Sequence, residues 1–540
     1  MRLLSFLFLL LISVSVTAQE FTRQDSLRGS ITPEREWWDL TYYHLSVEVL
    51  PNEKRILGSN VIQYEVLKNQ QVMQIDLQSP LKITRVTQNG MELKVRSEGN
   101  AHFVILSEEQ VKGEIKEITI FYEGMPKEAV RAPWDGGFSW KKDENGTDFI
   151  ATSCQGLGAS VWWPCKDHMY DEADSMDISV EVPEHLTDVS NGRLVKIDRD
   201  RKKKTRTFHW TVKNPINNYG VNLNIGDYVN WNQVYEGEKG DLDVNYWALK
   251  VDEDKAREQF KEVPRMLEAF EHWFGPYPFY EDGYKLVQVP YLGMEHQSSV
   301  TYGNRFENGY LGRDLSTTGW GLKFDFIIVH ESGHEWFANN ITFKDMADMW
   351  IHESFTNYSE SLFLDYFWGK EAGQEYLRGT RTQIGNAKPM IGPYGVNYEG
   401  YPGDVYYKGG NMLNTLRSIV NDDNAWRGML RALGEQFYHE TVTTAELEAY
   451  MAEYLDLDLN AFFNQYLRDK RLPTLEYYFK DGRINYRWVN TIDTFDMPLD
   501  ITLNGASQRI TPTSRWSSIE TLGTELNIDP NYYISKFQIR

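Results

Sequence analysis

The sequence predicts an α+β protein of several domains: an antiparallel β domain, then a mainly helical domain, then a small β domain. Three observations predict this order. From Glu36 to about Asn232, apolar and polar residues alternate, with hairpin signals between the runs. From about residue 254 to 470, apolar residues recur at helical spacing, and after Pro473 short alternating runs return. A chain of 540 residues is long enough for roughly three to four domains. The predicted boundaries are 19–235, 236–472 and 473–540, preceded by a leader at 1–18.

The leader prediction rests on "MRLLSFLFLLLISVSVTA", with one arginine, an apolar run and then Val16-Thr17-Ala18. That is the pattern of a secretory signal peptide, and the run is shorter than the ~20 residues a membrane-spanning helix needs. No cysteine follows the cleavage point, and later apolar runs are short. The sequence thus predicts an exported protein, periplasmic or secreted, with no membrane anchor.

In the first domain, "YYHLSVEVL" puts Tyr43, Leu45, Val47 and Val49 on one face. "LKITRVTQNGMELKV" carries Asn89-Gly90 between two alternating runs, a two-residue hairpin signal. In the second, "DKAREQFKEVPRMLEAFEHWFG" repeats apolar residues at Ala256, Phe260, Val263, Leu267, Phe270 and Phe274 until Gly275-Pro276 stops the helix. Thr443 and Glu446 form a capping box ahead of "AELEAYMAEYL". In the third, Asp481-Gly482 and Asn504-Gly505 mark turns.

Formal charge is −22, and the one short basic run, "RDRKKK" at 199–204, reads as a solvated hairpin. Such a chain repels phosphate backbones, which argues against nucleic acid as a partner. Cys154 and Cys165 are the only cysteines. They could pair in an oxidising compartment or remain buried free thiols, and two cysteines make no disulfide framework. The Asn-x-Ser/Thr triplets at Asn145, Asn340 and Asn357 read as chance, since glycans on the last two would obstruct the region described next.

The stretch "VHESGHEWFANN" contains His330-Glu331-Ser332-Gly333-His334. On a helix, residues i and i+4 share a face, so both imidazoles can reach one metal ion. A pair of surface histidines on an amphipathic helix is the competing reading. A third ligand discriminates: after His334 come 18 residues and then Glu353, in a second helical segment with Phe355, Leu362, Phe363 and Tyr366 on its apolar side. Two histidines and a glutamate form a ligand set for catalytic zinc. His352 is the rival, but its side chain points about 100° away from that of Glu353.

H-E-x-x-H, an 18-residue gap and then Glu resembles the gluzincin zinc aminopeptidases of peptidase family M1, the aminopeptidase N and leukotriene-hydrolase group. "YLGMEHQSSV" is similar to the family's G-x-M-E-N motif, giving Gly293, Met294 and Glu295. "VYYKGG" matches its Tyr-x-Lys-Gly at Tyr406, and "CQGLGASVWWPCKD" resembles the segment that carries a substrate-contacting Gln or Glu, here Gln155. The resemblance spans about Tyr43 to Pro473. Three positions depart from it: Leu292 and His296 replace the motif's first glycine and its asparagine, and Ser160 replaces an arginine.

The resemblance implies a saddle-shaped N-terminal β domain, a thermolysin-like catalytic domain and a small C-terminal β-sandwich. It also implies one zinc ion per chain, held by His330, His334 and Glu353. The catalytic residues are then Glu331, as general base and acid toward a zinc-activated water, and Tyr406, stabilising the oxyanion. Glu295 and Gln155 anchor the free amine of a peptide, with Gly293 and Met294 beside them. Gln155 does so through its side-chain oxygen. Glu360 and Asp348 are candidates for orienting the histidines. Trp162 and Trp163 read as packing residues rather than as lining for the entrance. With only about 67 residues after Pro473, the expected cleft is open.

The implied activity is removal of single N-terminal residues from peptides with a free N-terminus. A thermolysin-type endoprotease shares the metal site but has no use for Glu295; an epoxide hydrolase activity, which the resemblance associates with one branch of the family, is a further alternative. A non-catalytic peptide-binding homologue is disfavoured because His330, Glu331, His334, Glu353 and Tyr406 are all present.

Overall fold

The computed structural model describes residues 21–398 and 400–540; the leader expected at 1–18 lies outside them. The described chain opens with a short helix, α1 (Arg23–Gly29), whose Thr22 and Asp25 cap one another reciprocally. The strand Trp38–Leu50 then forms the middle of an eight-stranded sheet. Its Tyr43, Leu45, Val47 and Val49 are buried, while Tyr42, His44, Ser46 and Glu48 alternate with them on the half-buried face.

Pairing in this sheet is antiparallel, as expected, except at one seam: Trp38–Leu50 runs parallel to Ser175–Pro183. More than a hundred residues separate these strands, so no hairpin constrains their direction. The Asn89-Gly90 turn has both φ values positive, at 51° and 77°, and the same holds at Asp481-Gly482 and Asn504-Gly505. All three join adjacent antiparallel strands. The "RDRKKK" run lies in and beside the exposed turn between Arg193–Asp200 and Thr205–Val212.

The predicted boundary at 235/236 needs correction, since it falls inside the strand Tyr228–Gly237. That strand pairs with Gly240–Leu249, which runs parallel to Tyr284–Gln288 in the five-stranded sheet of the second domain. The alternating period is the same on both sides, so only the pairing partner shows where the second domain starts. The predicted helix at 254–274 is also two: Glu253–Gln259 and α2 (Glu262–Phe274). Pro264 has no N–H to donate to the Phe260 carbonyl, and its ring would strike that carbonyl in a continuous helix.

Three helices position the site. Helix α3 (Phe326–Gly333) starts at Asp325, whose carboxylate accepts from Ile327 N and Ile328 N at 3.0 and 3.2 Å. It ends at His334, and "EWFANN" does not continue it regularly: Phe337 and Ala338 leave helical geometry, with φ of −124° and 156°. Helix α4 (Trp350–Trp368) is buried on every side from Trp350 to Leu364. Its polar residues face neighbouring helices rather than water. Helix α5 (Asp404–Val420) packs against it.

A glycine opens the crossings of α4 with α3 and with α5. A Cβ on Gly333 would lie 2.6 Å from Ser359 Oγ, and one on Gly409 would lie 1.8 Å from Ser354 Oγ and 2.4 Å from Ser354 Cβ. Ser354 Oγ also donates to the Val405 carbonyl at 2.6 Å, fastening the first turn of α5 to α4. Further on, α6 (Thr444–Leu455) begins at the expected capping box of Thr443 and Glu446.

The C-terminal domain packs a four-stranded sheet and a three-stranded sheet around Leu475, Trp488, Leu499 and Ile501. One apolar core runs from the helical domain into it, and a second fills the N-terminal domain. Among the described residues no helix is long and apolar enough to cross a membrane. Cys154 and Cys165 are buried free thiols.

Gly409→Ala is expected to force α5 away from α4 and to cost about 1–3 kcal/mol of stability, the range for overpacking a tight contact. Urea unfolding checks this; an unchanged midpoint would contradict the close crossing.

Candidate metal centre and active site

His330 on α3, His334 at its end and Glu353 on the first turn of α4 converge. Glu353 Oε2 lies 3.7 Å from His330 Nε2 and 3.5 Å from His334 Nε2. Ligand atoms around a tetrahedral zinc sit about 3.3 Å apart when each bond is about 2.0–2.1 Å. The spacing therefore fits a single ion.

The hydrogen-bonding partners fit too. His330 Nδ1 donates to Glu360 Oε1 at 2.8 Å, and His334 Nδ1 donates to the Phe337 carbonyl at 3.0 Å. A carboxylate and a carbonyl can only accept, so each Nε2 keeps its lone pair for the metal position. Glu353 Oε2 is buried with no hydrogen-bond partner. A buried carboxylate oxygen in that condition is costly unless a cation meets it.

Glu360 is itself held: Asn357 Nδ2 donates to its Oε1 at 3.2 Å and the Tyr376 hydroxyl to its Oε2 at 2.5 Å. Asp348, the other candidate for orienting a histidine, touches neither. It accepts from Tyr394 and Thr444 and ties α4 to α6. His352 turns away from the triad, accepts from Phe343 N at 3.0 Å and stacks on the Phe343 ring. It is a core histidine whose Nε2 is engaged away from the metal position.

The remaining expected residues surround the triad in a cleft of about 680 Å³ that Gln155, Gly293, Met294, Glu295, Glu331 and Tyr406 help to line. Glu331 is buried, and burial pushes its carboxyl up to about 7. Gly293 makes room for it, since a Cβ there would lie 3.1 Å from Glu331 Oε1 and 2.6 Å from Ile327 Cγ2. Tyr406, on the first turn of α5, donates to Glu353 Oε1 at 3.1 Å. Burial, with the Glu353 carboxylate next to it, holds the Tyr406 phenol well above 10, so it stays a donor.

Glu295 reaches the same centre, with ligand atoms of Glu295, Glu331 and His334 all within 4.8 Å of one another. Burial raises its carboxyl pKa, opposed by the His334 imidazole and reinforced by Glu353. Gln155 differs from expectation in one detail. Its amide nitrogen donates to Glu295 Oε1 at 2.5 Å, because a carboxylate accepts only the N–H end. Turning the amide over presents its oxygen from the same envelope.

Sequence reasoning missed the residues that support this loop. Asn339 Nδ2 donates to the Glu295 carbonyl at 2.7 Å, and Glu335 accepts from Ser298 N at 3.1 Å and from Asn339 at 2.9 Å. Phe326, missed as well, stacks on the His330 ring at 5.2 Å. Only the helical spacing of Phe326 to His330 hinted at it. Trp162 and Trp163 are buried core residues, and Asn340 and Asn357 are buried as well.

Residues 258–466 match the peptidase family M1 domain, and residues 40–219 match the peptidase M1 N-terminal domain, together more than two-thirds of the chain. The chain belongs to peptidase family M1. Among relatives it is 22% identical over 331 residues to probable aminopeptidase 2 of Sulfurisphaera tokodaii, which covers 58% of this chain and 40% of that one. It is 26% identical over 309 residues to endoplasmic reticulum aminopeptidase 1 of Mus musculus, covering 54% and 32%. With leukotriene A-4 hydrolase of Xenopus laevis it shares 21% over 451 residues, covering 78% and 69%. The chain thus spans less than half the length of the first two. A mutant M1 zinc metallopeptidase of Deinococcus radiodurans, solved with a Tyr-Ser-Ala substrate, superimposes with a TM-score of 0.68 at 20% identity. That match covers 82% of this chain and 98% of the other.

Glu360→Ala removes the acceptor on His330 Nδ1 while leaving all three metal ligands. Zinc affinity, measured by competition with a chelator, is expected to weaken about 10–100-fold; an unaltered affinity would show that this hydrogen bond does not orient the ligand.

Proposed function

We propose that this protein is a zinc-dependent aminopeptidase that removes single N-terminal residues from peptides. One observation carries the reading: a buried acid, Glu295, stands within 4.8 Å of Glu331 and His334, at the edge of the metal triad. A free α-amine, with a pKa of about 7.7–8.0, is mostly protonated at neutral pH. Its charge offsets the cost of the buried carboxylate. An ammonium held there leaves room for one residue before the scissile carbonyl. The M1 family and the aminopeptidase relatives support the same reading.

His330, His334 and Glu353 would hold the zinc ion, which when bound supplies Lewis acidity and an acidified water at neutral pH. Glu331 accepts the proton released as water attacks the carbonyl carbon and passes it to the departing amine. A carboxyl held near neutrality by burial can both accept and return that proton. Tyr406, kept protonated, donates a hydrogen bond to the oxyanion that develops on the carbonyl oxygen. Glu295 and Gln155 hold the ammonium during both steps.

Export belongs to the proposal as well, supported by the composition of residues 1–18. The partners are then peptides with a free N-terminus, met outside the cytoplasm.

Blocking the amine is the direct test. A peptide cleaved by the zinc-loaded protein is expected to resist it once N-acetylated, and equal cleavage of both forms would point to an endopeptidase instead. Glu331→Gln is expected to retain zinc and lose about 10²–10⁴-fold in kcat; near-normal turnover would remove Glu331 from the proton-transfer role.

A further inference from the structure

The short helix α1 and its flanks lie ahead of the family match, which starts at residue 40. They are nonetheless wedged against the cleft from behind. Arg28 reaches groups on two domains. Its Nη2 donates to the Gly156 carbonyl at 3.0 Å, next to Gln155, and its Nε lies 3.4 Å from Asp167 Oδ2. Its Nη1 donates to Asn397 Oδ1 at 2.6 Å, on the helical domain.

The fit around this guanidinium is close. A Cβ on Gly158 would lie 2.4 Å from Arg28 Nη2, and one on Gly29 would lie 2.0 Å from the Val396 carbonyl carbon. Asn397 N donates to the Asp25 carbonyl at 2.9 Å, and the Phe21 ring meets the Tyr398 ring edge-on at 6.3 Å. The segment is fixed at its other end too, because buried Arg35 donates to the Arg28 and Ser30 carbonyls and pairs with Asp76.

Two segments beside the cleft are therefore joined through this stretch, and Arg28 is the side chain that reaches both. The first is the Gln155–Gly156 turn of the N-terminal domain. The second is the segment through Asn397, four residues before Tyr401, which lines the cleft. Neither wall carries a metal ligand, so the tie bears on where a substrate lies rather than on whether the triad forms.

We propose that Phe21–Ser30 is a brace for the substrate-binding side of the cleft and that Arg28 is its positioning residue. Arg28 sets the distance between the Gln155 wall and the wall that runs through Asn397. This rests on the aminopeptidase reading only for its effect on turnover; the mechanical tie stands independently of it.

The test uses the full chain, zinc-loaded, as Arg28→Lys and Asn397→Ala. Lysine keeps the charge toward Asp167 but cannot span Gly156 and Asn397 together. Asn397→Ala removes the side-chain acceptor for Arg28 on the helical domain and leaves the backbone bond to the Asp25 carbonyl in place. Hydrogen–deuterium exchange is expected to quicken about threefold or more at residues 155–158 and 392–398 in Arg28→Lys, with the melting temperature unchanged. In Asn397→Ala the same change is expected at 392–398.

On an aminoacyl reporter, KM is expected to rise about tenfold in both variants while kcat stays within about twofold. Unchanged exchange at both segments would overturn the brace. Faster exchange with an unchanged KM would overturn the positioning role. If the unsubstituted protein fails to turn over any aminoacyl reporter, the aminopeptidase reading falls, and exchange still decides the brace.

Discussion

The candidate site depends on one carboxylate oxygen. Glu353 Oε2 is buried, has no hydrogen-bond partner and faces two imidazole nitrogens at 3.5 and 3.7 Å. A bare carboxylate is expensive to hold in such a place, and its neighbours compensate only if a cation joins them. Much of the helical domain serves to keep that arrangement. Glycines bring α3 and α5 close to α4, and the polar residues of α4, Ser354, Thr356 and Glu360 among them, are buried. The Nδ1 atoms of both histidines are committed elsewhere, which fixes the side that each presents.

Around this centre the two large domains divide the work. The helical domain brings the triad, Glu331 and Tyr406, and its own buried Glu335 and Asn339 hold the loop that carries Glu295. The N-terminal domain adds Gln155 on a turn anchored by Asp167. A cleft built between domains, with an acidic anchor beside a metal site, suits a ligand that enters end-first with its positive charge leading.

Much of this was readable from residue patterns, for identifiable reasons. The strands showed because one face of each sheet is buried, and the Asn-Gly and Asp-Gly turns showed because two successive residues adopt positive φ. The ligands were readable because a helix puts His330 and His334 on one face, and the choice of Glu353 over His352 followed from helical geometry. The parallel seam at Ser175–Pro183 and the place of Tyr228–Gly237 in the five-stranded sheet were not, because an alternating strand does not encode its partner. Between the two candidate orienters, Glu360 and Asp348, the sequence did not choose for a similar reason: proximity to α4 says nothing of direction, and the Asp348 side chain points to Thr444. Helix α4 looked one-sided in sequence, yet its polar face is buried because it carries the site. Glu335 and Asn339 left no pattern, since their partners lie on a loop some 40 residues earlier.

X-ray absorption at the zinc edge of the folded, zinc-loaded protein tests the triad most directly. The expected spectrum shows one zinc per chain with only nitrogen and oxygen neighbours at about 2.0–2.2 Å, two of them imidazole. A sulfur neighbour at about 2.3 Å, or fewer than two imidazoles, would contradict a centre built from His330, His334 and Glu353.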